Sequence, residues 1–224
     1  MKQLNKLTIL GLSELTLSMI FEIIHHSYAH PIDIQIIRNL PYTPNFPFTT
    51  ANANYSIVLD EDVDYTKVQH CSLGVFGTNT KKLIFEHFQK NYGIDKTRYL
   101  NLIYPDAVLA STITMGTGIH INPNVVIAPQ THIGDFVSIN RSVSIGHHTH
   151  IGDFCTFNPA SNVAGKCRIG EGVTLGIGCN VIDGISIGEN TVVGAGSLVT
   201  KNLPANVVAY GVPAKVVRTL KDGL

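Results

Sequence analysis

From Ile103 to Val199 every sixth residue is apolar, seventeen times in succession, with no insertion to break the count. The series includes Ile121, Ile133, Ile145, Phe157, Ile169, Val181 and Val193. Neither a helix, with a period of 3.6, nor a plain strand, with a period of two, produces this spacing. A very short strand followed by a corner does, and three such units close a triangular coil of 18 residues. The residue after each apolar position is Gly or Asn in eleven cases and Ala in three more. Gly and Asn tolerate left-handed backbone, so the corners are predicted to turn there. Four residues after each apolar position stand mostly Val, Ile, Thr, Ser, Cys or Ala, groups that fit a narrow interior. The repeat thus predicts a parallel β-helix over about 103–204, its coils stacked at about 4.8 Å.

Residues 1–100 follow a different pattern. KLTILGL (6–12), DIQIIRNL (33–40), SIVLD (56–60) and CSLGVFG (71–77) read as strands. SELTLSMIFEIIHH (13–26) and TKKLIFEHFQKNYG (80–93) read as helices, the first opening on a Ser suited to capping and the second closing on Gly. PYTPNFPFTTANANY (41–55) reads as a loop. Alternating strands and helices predict a small parallel, Rossmann-like α/β unit. Ligands of such sheets bind beyond the carboxyl ends of the strands. The chain therefore divides into an α/β unit over 1–100 and an all-β helix over 101–224.

Composition excludes several roles. Sixteen basic residues balance sixteen acidic ones and form no runs, which argues against nucleic acid as a partner. Glu14 and Glu22 interrupt the apolar stretch 7–24, so neither a signal peptide nor a membrane span is expected. Cys155, Cys167 and Cys179 recur every twelve residues, a packing period. With Cys71, they are expected to be reduced and buried in a cytoplasmic protein.

The repeat, the closing segment GVPAKVVR (211–218) and the α/β unit leading through NLIYPDA (101–107) together resemble one group of proteins. These are the hexapeptide-repeat sugar acetyltransferases, bacterial enzymes that acetylate sialic acid or nucleotide-linked amino sugars such as bacillosamine precursors. The resemblance implies a left-handed β-helix, a homotrimer with the cofactor groove between subunits, and acetyl-CoA as co-substrate.

IGHHTHIG (145–152) holds the histidines of interest. Counting from the apolar residue, positions 1 and 2 are expected to form the corner, with positions 3 and 5 outward and position 4 inward. His147 then lies on a corner, between Pro129 and Gly165 in an 18-residue stack with Asp183 beyond. His148 stacks between Gln130 and Lys166, and His150 between His132 and Arg168. The resemblance implies that His147 is the general base, a task suited to imidazole, which titrates near neutral pH. It also implies that the Gly165 N–H assists the oxyanion. His148 stands where relatives often carry an acid that orients the base, which leaves the orienting partner open. No metal is expected. The related β-helix carbonic anhydrases use two histidines five residues apart with a third two coils earlier, and His120, His132, His147, His148 and His150 lack that spacing.

The resemblance carries acetyl-CoA contacts to Thr156, Gly165, Ile177 and Ala195, with Thr156 replacing a histidine of the bacillosamine-type enzymes. It carries the sugar or nucleotide sugar to Gly11, Leu12 and Ser13 in GLSELT (11–16), and to Gly77. That loop lacks the relatives' second glycine and histidine and brings Glu14 near any phosphate. The expected activity is acetyl transfer from acetyl-CoA to a sugar amine or hydroxyl in surface glycan biosynthesis, without membrane insertion. Two alternatives stay open: transfer to another acceptor such as serine, which the α/β unit disfavours, and a non-enzymatic scaffold.

Overall fold

A computed structural model describes residues 4–38 and 53–220. Most of the loop expected over 41–55, and the end of the strand expected over 33–40, lie outside the described residues. Contacts divide the chain into two compact units, Met1–Pro105 and Asp106–Leu224.

The first unit contains β1 (Lys6–Leu10), α1 (Glu14–Ser27), β2 (Ile32–Arg38), β3 (Ala53–Leu59), β4 (Cys71–Leu73) and α2 (Thr78–Tyr92). Its four strands are parallel, in the order β3-β2-β1-β4. Leu17, Ile20, Phe21 and Ile24 form the buried stripe of α1, packed with Leu7, Ile9, Ile34 and Ile36 of the sheet. The helix begins one residue after Ser13, but the Ser13 side chain makes no capping hydrogen bond; its N–H donates to the Gly74 carbonyl instead. α2 closes on Gly93 in left-handed backbone, φ 65°, with its N–H reaching the carbonyls of Phe88 and Gln89. After β1 the chain moves outward through β2 to β3, then returns to place β4 on the other side of β1. The reversal in strand order falls between β1 and β4.

The second unit is the left-handed parallel β-helix that the repeat predicts. Each strand is two residues long, and residue i pairs with i+18: Thr114, His132, His150, Arg168 and Ser186 run along one face. Backbone hydrogen bonds join the coils, such as His132 N–H to the Thr149 carbonyl at 2.9 Å and Gly152 N–H to that of Ile169 at 2.8 Å. Inside, the repeating apolar residue alternates with the residue four further on. Val125, Val137, Val143, Cys155, Cys167, Val173 and Cys179 are all buried. The four cysteines are free thiols. Burial pushes the Cys179 thiol up to about 12 and raises those of Cys71 and Cys167, so they serve as small apolar fillers. Buried hydroxyls donate to carbonyls of the next coil, as Thr149 does to Ala164. Beyond the last coil, strands Val207–Gly211 and Ala214–Thr219 form an antiparallel hairpin on the third face.

The corners differ from the sequence expectation. The left-handed residue is not the one after the repeating apolar position but the one two further along, and it is often not glycine: Gln130, Phe136, His148, Phe154, Ala160 and Lys166 all have φ near 60°. The glycines after the apolar position meet a different constraint. In the column Gly116, Gly134, Gly152, Gly170 and Gly188, a Cβ would strike the backbone of the next coil. On Gly152 it would lie 2.6 Å from the Glu171 nitrogen. Glycine is needed there for closeness rather than for turning.

The two kinds of glycine are therefore expected to respond differently. Gly152→Ala forces coils apart and should cost about 2–3 kcal/mol or more. Gly178→Asn, at a left-handed corner with open space around it, should change stability by less than about 1 kcal/mol. Denaturant melts of the two variants check this.

Candidate active site

His147 and His148 are consecutive corner residues, both exposed. The left-handed backbone at His148, φ 57°, turns its ring across its neighbour. The rings meet edge to face at 89°, and the two Nδ1 atoms lie 3.0 Å apart, a hydrogen-bond distance. The opposite edge of the His147 ring faces Gly165, one coil along. A Cβ on Gly165 would lie 2.9 Å from Nε2 and 2.8 Å from Cε1. Glycine thus leaves room for the imidazole and for whatever approaches its Nε2.

Asp183 completes this column. The corner N–H groups of this helix are often capped by a side chain 18 residues later, as Thr117 N–H is by Asp135 and Asp135 N–H by Asp153. In the same way Gly165 N–H donates to Asp183 Oδ1 at 2.8 Å. The Gly165 N–H expected to assist the oxyanion is thus bonded to a carboxylate, and it serves an oxyanion only if that carboxylate turns away. Because Gly165 has no side chain, His147 N–H makes no hydrogen bond among the described residues. Asp183 was named from the sequence only as a stack member. The acid-to-amide pairing along neighbouring corners is the signal that would have found its role.

Beside the pair lies an open cavity of about 470 Å³ bordered by Gln130, His132, His148, His150, Lys166 and Arg168. His132 and His150 stack with centroids 4.5 Å apart, and Arg168 follows in register, as the repeat predicts. Burial lowers the His150 pKa, and the neighbouring His132 and Arg168 add to the effect. No group of three or more His, Cys, Asp or Glu that could hold a metal ion occurs among the described residues.

The expected cofactor contacts separate. Ile177 and Ala195 are exposed and share a corner column, Ile177 with 59% of its surface open. Thr156 is buried, with 3% exposed, so its hydroxyl is not presented to an incoming ligand in this structure. A side chain facing outward from a strand need not reach solvent.

In the α/β unit, Gly11, Leu12 and Ser13 follow β1, and Gly77 follows β4, at the point where strand order reverses. The two loops are tied together: Gly74 N–H donates to the Leu10 carbonyl and Ser13 N–H to that of Gly74, both at 2.8 Å. The Leu12 side chain packs on the core, so only its backbone is suited to a ligand. The structure thus brings these four residues to the carboxyl ends of β1 and β4, at the N-termini of α1 and α2.

Residues 166–201 match the bacterial transferase hexapeptide family, six repeats. Among curated proteins no sequence matches this chain. Among solved structures, a histidine-to-asparagine mutant of perosamine N-acetyltransferase from Caulobacter crescentus, in complex with CoA and GDP-perosamine, superposes with a TM-score of 0.80. It is 25% identical, and the match covers 95% of this chain and 96% of that one. The acetyltransferase domain of PglB from Neisseria gonorrhoeae, in complex with acetyl coenzyme A, superposes with a TM-score of 0.77 at 18% identity, over 96% of this chain and all of that one. WeeI from Acinetobacter baumannii gives 0.77 at 20% identity over the same shares. The resemblance read from the repeat is borne out in the fold, and it extends over both units.

Gly165→Ala tests the contact between the glycine and the ring. The atoms nearest its Cβ belong to the far edge of the His147 side chain and to the Asp183 carboxylate. Stability should change by less than about 1 kcal/mol, while His147 is displaced. A melt paired with a crystal structure of the variant checks both halves.

Proposed function

We propose that this chain is an acetyl-CoA-dependent sugar acetyltransferase, with His147 as general base and a nucleotide-linked sugar as acceptor. The observation that carries the reading is the placement of His147. A solvent-accessible imidazole stands with Nε2 against a glycine, on the fold of an enzyme that was captured with CoA and GDP-perosamine when one of its histidines was replaced.

Mechanistically, the acceptor nitrogen or oxygen attacks the thioester carbonyl while His147 Nε2 takes its proton. The new bond to carbon pushes electrons onto the carbonyl oxygen, giving an oxyanion that a corner N–H stabilises. Gly165 N–H is the donor carried over by resemblance, and it serves once Asp183 releases it. Collapse of this intermediate breaks the carbon–sulfur bond, and the departing thiolate takes the proton back from His147. Acetylated sugar and CoA thiol result, with no covalent enzyme intermediate. Holding both substrates in this geometry contributes much of the acceleration.

The pantetheine arm is assigned to the surface beside Ile177 and Ala195, and the nucleotide to the Gly11–Ser13 and Gly77 loops between β1 and β4. Helix N-termini suit phosphates there, and Glu14 opposes them. A homotrimer belongs to the same proposal, because a second copy would close the open side of the Ile177 surface. No helix among the described residues is long and apolar enough to cross a membrane. A cytoplasmic site of action is proposed because four reduced, buried thiols and the supply of acetyl-CoA both fit that compartment.

Turnover of acetyl-CoA with a panel of nucleotide-linked amino sugars tests the reading. His147→Ala should lower kcat about 100-fold or more on the true acceptor while CoA still binds. Retention of full kcat would remove His147 from the mechanism, and failure to bind CoA at all would favour a scaffold. Light scattering should give the mass of three chains; a monomer would reject the shared groove.

A further inference from the structure

The outward side chains of the β-helix are sorted by charge. Along one face Val126, Ser144, Asn162 and Asn180 stack in register, and none is charged. On the next face the same position holds His132, His150 and Arg168 on consecutive coils, between Thr114 and Ser186. Gln130, His148 and Lys166 edge that face. These groups border the open cavity of about 470 Å³, and no acidic side chain among the described residues does. In a chain with sixteen basic and sixteen acidic residues, the excess of positive charge is local to this face.

Neither Lys166 nor Arg168 forms an ion pair among the described residues. The corner that closes this face carries Asp135 and Asp153, with Glu171 next in the column. The two aspartates are engaged in capping: Asp135 Oδ1 accepts the Thr117 N–H, and Asp153 Oδ1 accepts the Asp135 N–H. Burial, then His132 and Arg168, lower the His150 pKa, and Asp153 opposes them. Protonated, the stack repels itself, and an anion would relieve that repulsion. His132 Nδ1 lies 2.8 Å from Thr114 Oγ1. If the hydroxyl donates, Nε2 already carries an N–H; if it accepts, Nε2 gains one on protonation.

We infer that this face is an anion site: His132, His150, Lys166 and Arg168 together hold a phosphate-type group in the cavity beside the His147–His148 corner. A guanidinium supplies paired donors matched to phosphate oxygens, and an ammonium supplies a point charge. Each imidazole adds an N–H that becomes charge-assisted once protonated. From His132 to Arg168 is two coil spacings, about 10 Å, which leaves room for a diphosphate as well as a single phosphate. Under the acetyl-transfer reading the group has two sources, the diphosphate of a nucleotide-linked acceptor or the phosphates of CoA. Anion binding itself does not depend on that reading. A bound anion favours the protonated imidazoles and raises their pKa, so affinity grows as pH falls through the raised values.

Calorimetric titration of the full chain with sulfate tests the site. Sulfate keeps both charges wherever histidine titrates, and chloride holds the ionic strength constant. In wild type, affinity should rise about fivefold from about pH 8 to about pH 6. Arg168→Ala and Lys166→Ala should each weaken binding about tenfold. Both side chains are exposed, so the melts of these variants should match wild type. The double variant His132→Gln, His150→Gln should bind with no pH dependence. Sulfate binding that Arg168→Ala leaves unchanged, or that does not strengthen as pH falls, would overturn the inference. In turnover, Arg168→Ala should raise one KM about tenfold. A rise for the nucleotide sugar places the acceptor's diphosphate on this face, and a rise for acetyl-CoA places a CoA phosphate there. Loss of sulfate binding with both KM values intact would reject a substrate phosphate as the occupant. If wild type transfers no acetyl group, loss of sulfate binding in Arg168→Ala upholds the anion site while the acetyltransferase reading fails.

Discussion

Everything in the second unit depends on backbone hydrogen bonds between neighbouring coils, which set each residue beside its register partner 18 residues on. A two-residue strand holds almost nothing by itself, and each coil is stable only because its N–H and C=O groups meet those of the coils on either side. This brings neighbouring backbones close together along some corners. The unbroken column Gly116, Gly134, Gly152, Gly170 and Gly188 is the consequence, since any Cβ there would occupy the next coil's peptide. The same closeness turns equivalent positions into vertical columns, so residues far apart in sequence touch. The His132–His150 stack and the Asp183–Gly165 hydrogen bond both arise in this way.

The candidate site is built on that lattice. Along several corners an acid caps the amide of the preceding coil, which stiffens the column. Gly165 has no side chain to cap the His147 N–H in this way, which leaves room for the His147 ring and leaves that N–H without a hydrogen bond among the described residues. The ring is then held sideways, by the adjacent His148, rather than along the stack. Arrangement along the stack supplies the rigidity, and the omission supplies the access.

Much of this was legible before any coordinates. Period, coil length, interior residues and the stacking of His150 between His132 and Arg168 follow from counting alone, because side-chain direction along a strand is fixed by geometry. The elements of the α/β unit were found with their ends shifted by a few residues, as expected where helix and strand ends are set by tertiary contacts. Ser13 stands at the N-cap as its type suggests, yet its hydroxyl makes no capping hydrogen bond. The glycines that follow the repeating apolar residue serve close approach rather than the left-handed turn that their type suggests. Gly and Asn point equally to left-handed backbone and to close approach, and residue identity does not separate the two. Thr156 likewise lies on an outward position that proves to be buried.

The sequence by itself determined the β-helix, its interior, the two-unit division and the corner on which His147 stands, since these depend on periodicity and on the steric limits of single residues. Tertiary structure alone decided which groups meet: His147 with His148 through their Nδ1 atoms, Gly165 N–H with Asp183, and the Gly11–Ser13 loop with Gly74. Such pairings depend on ring rotation, on turn dihedrals at φ 57° and on separations of about 3 Å, none of which is encoded in spacing along the chain.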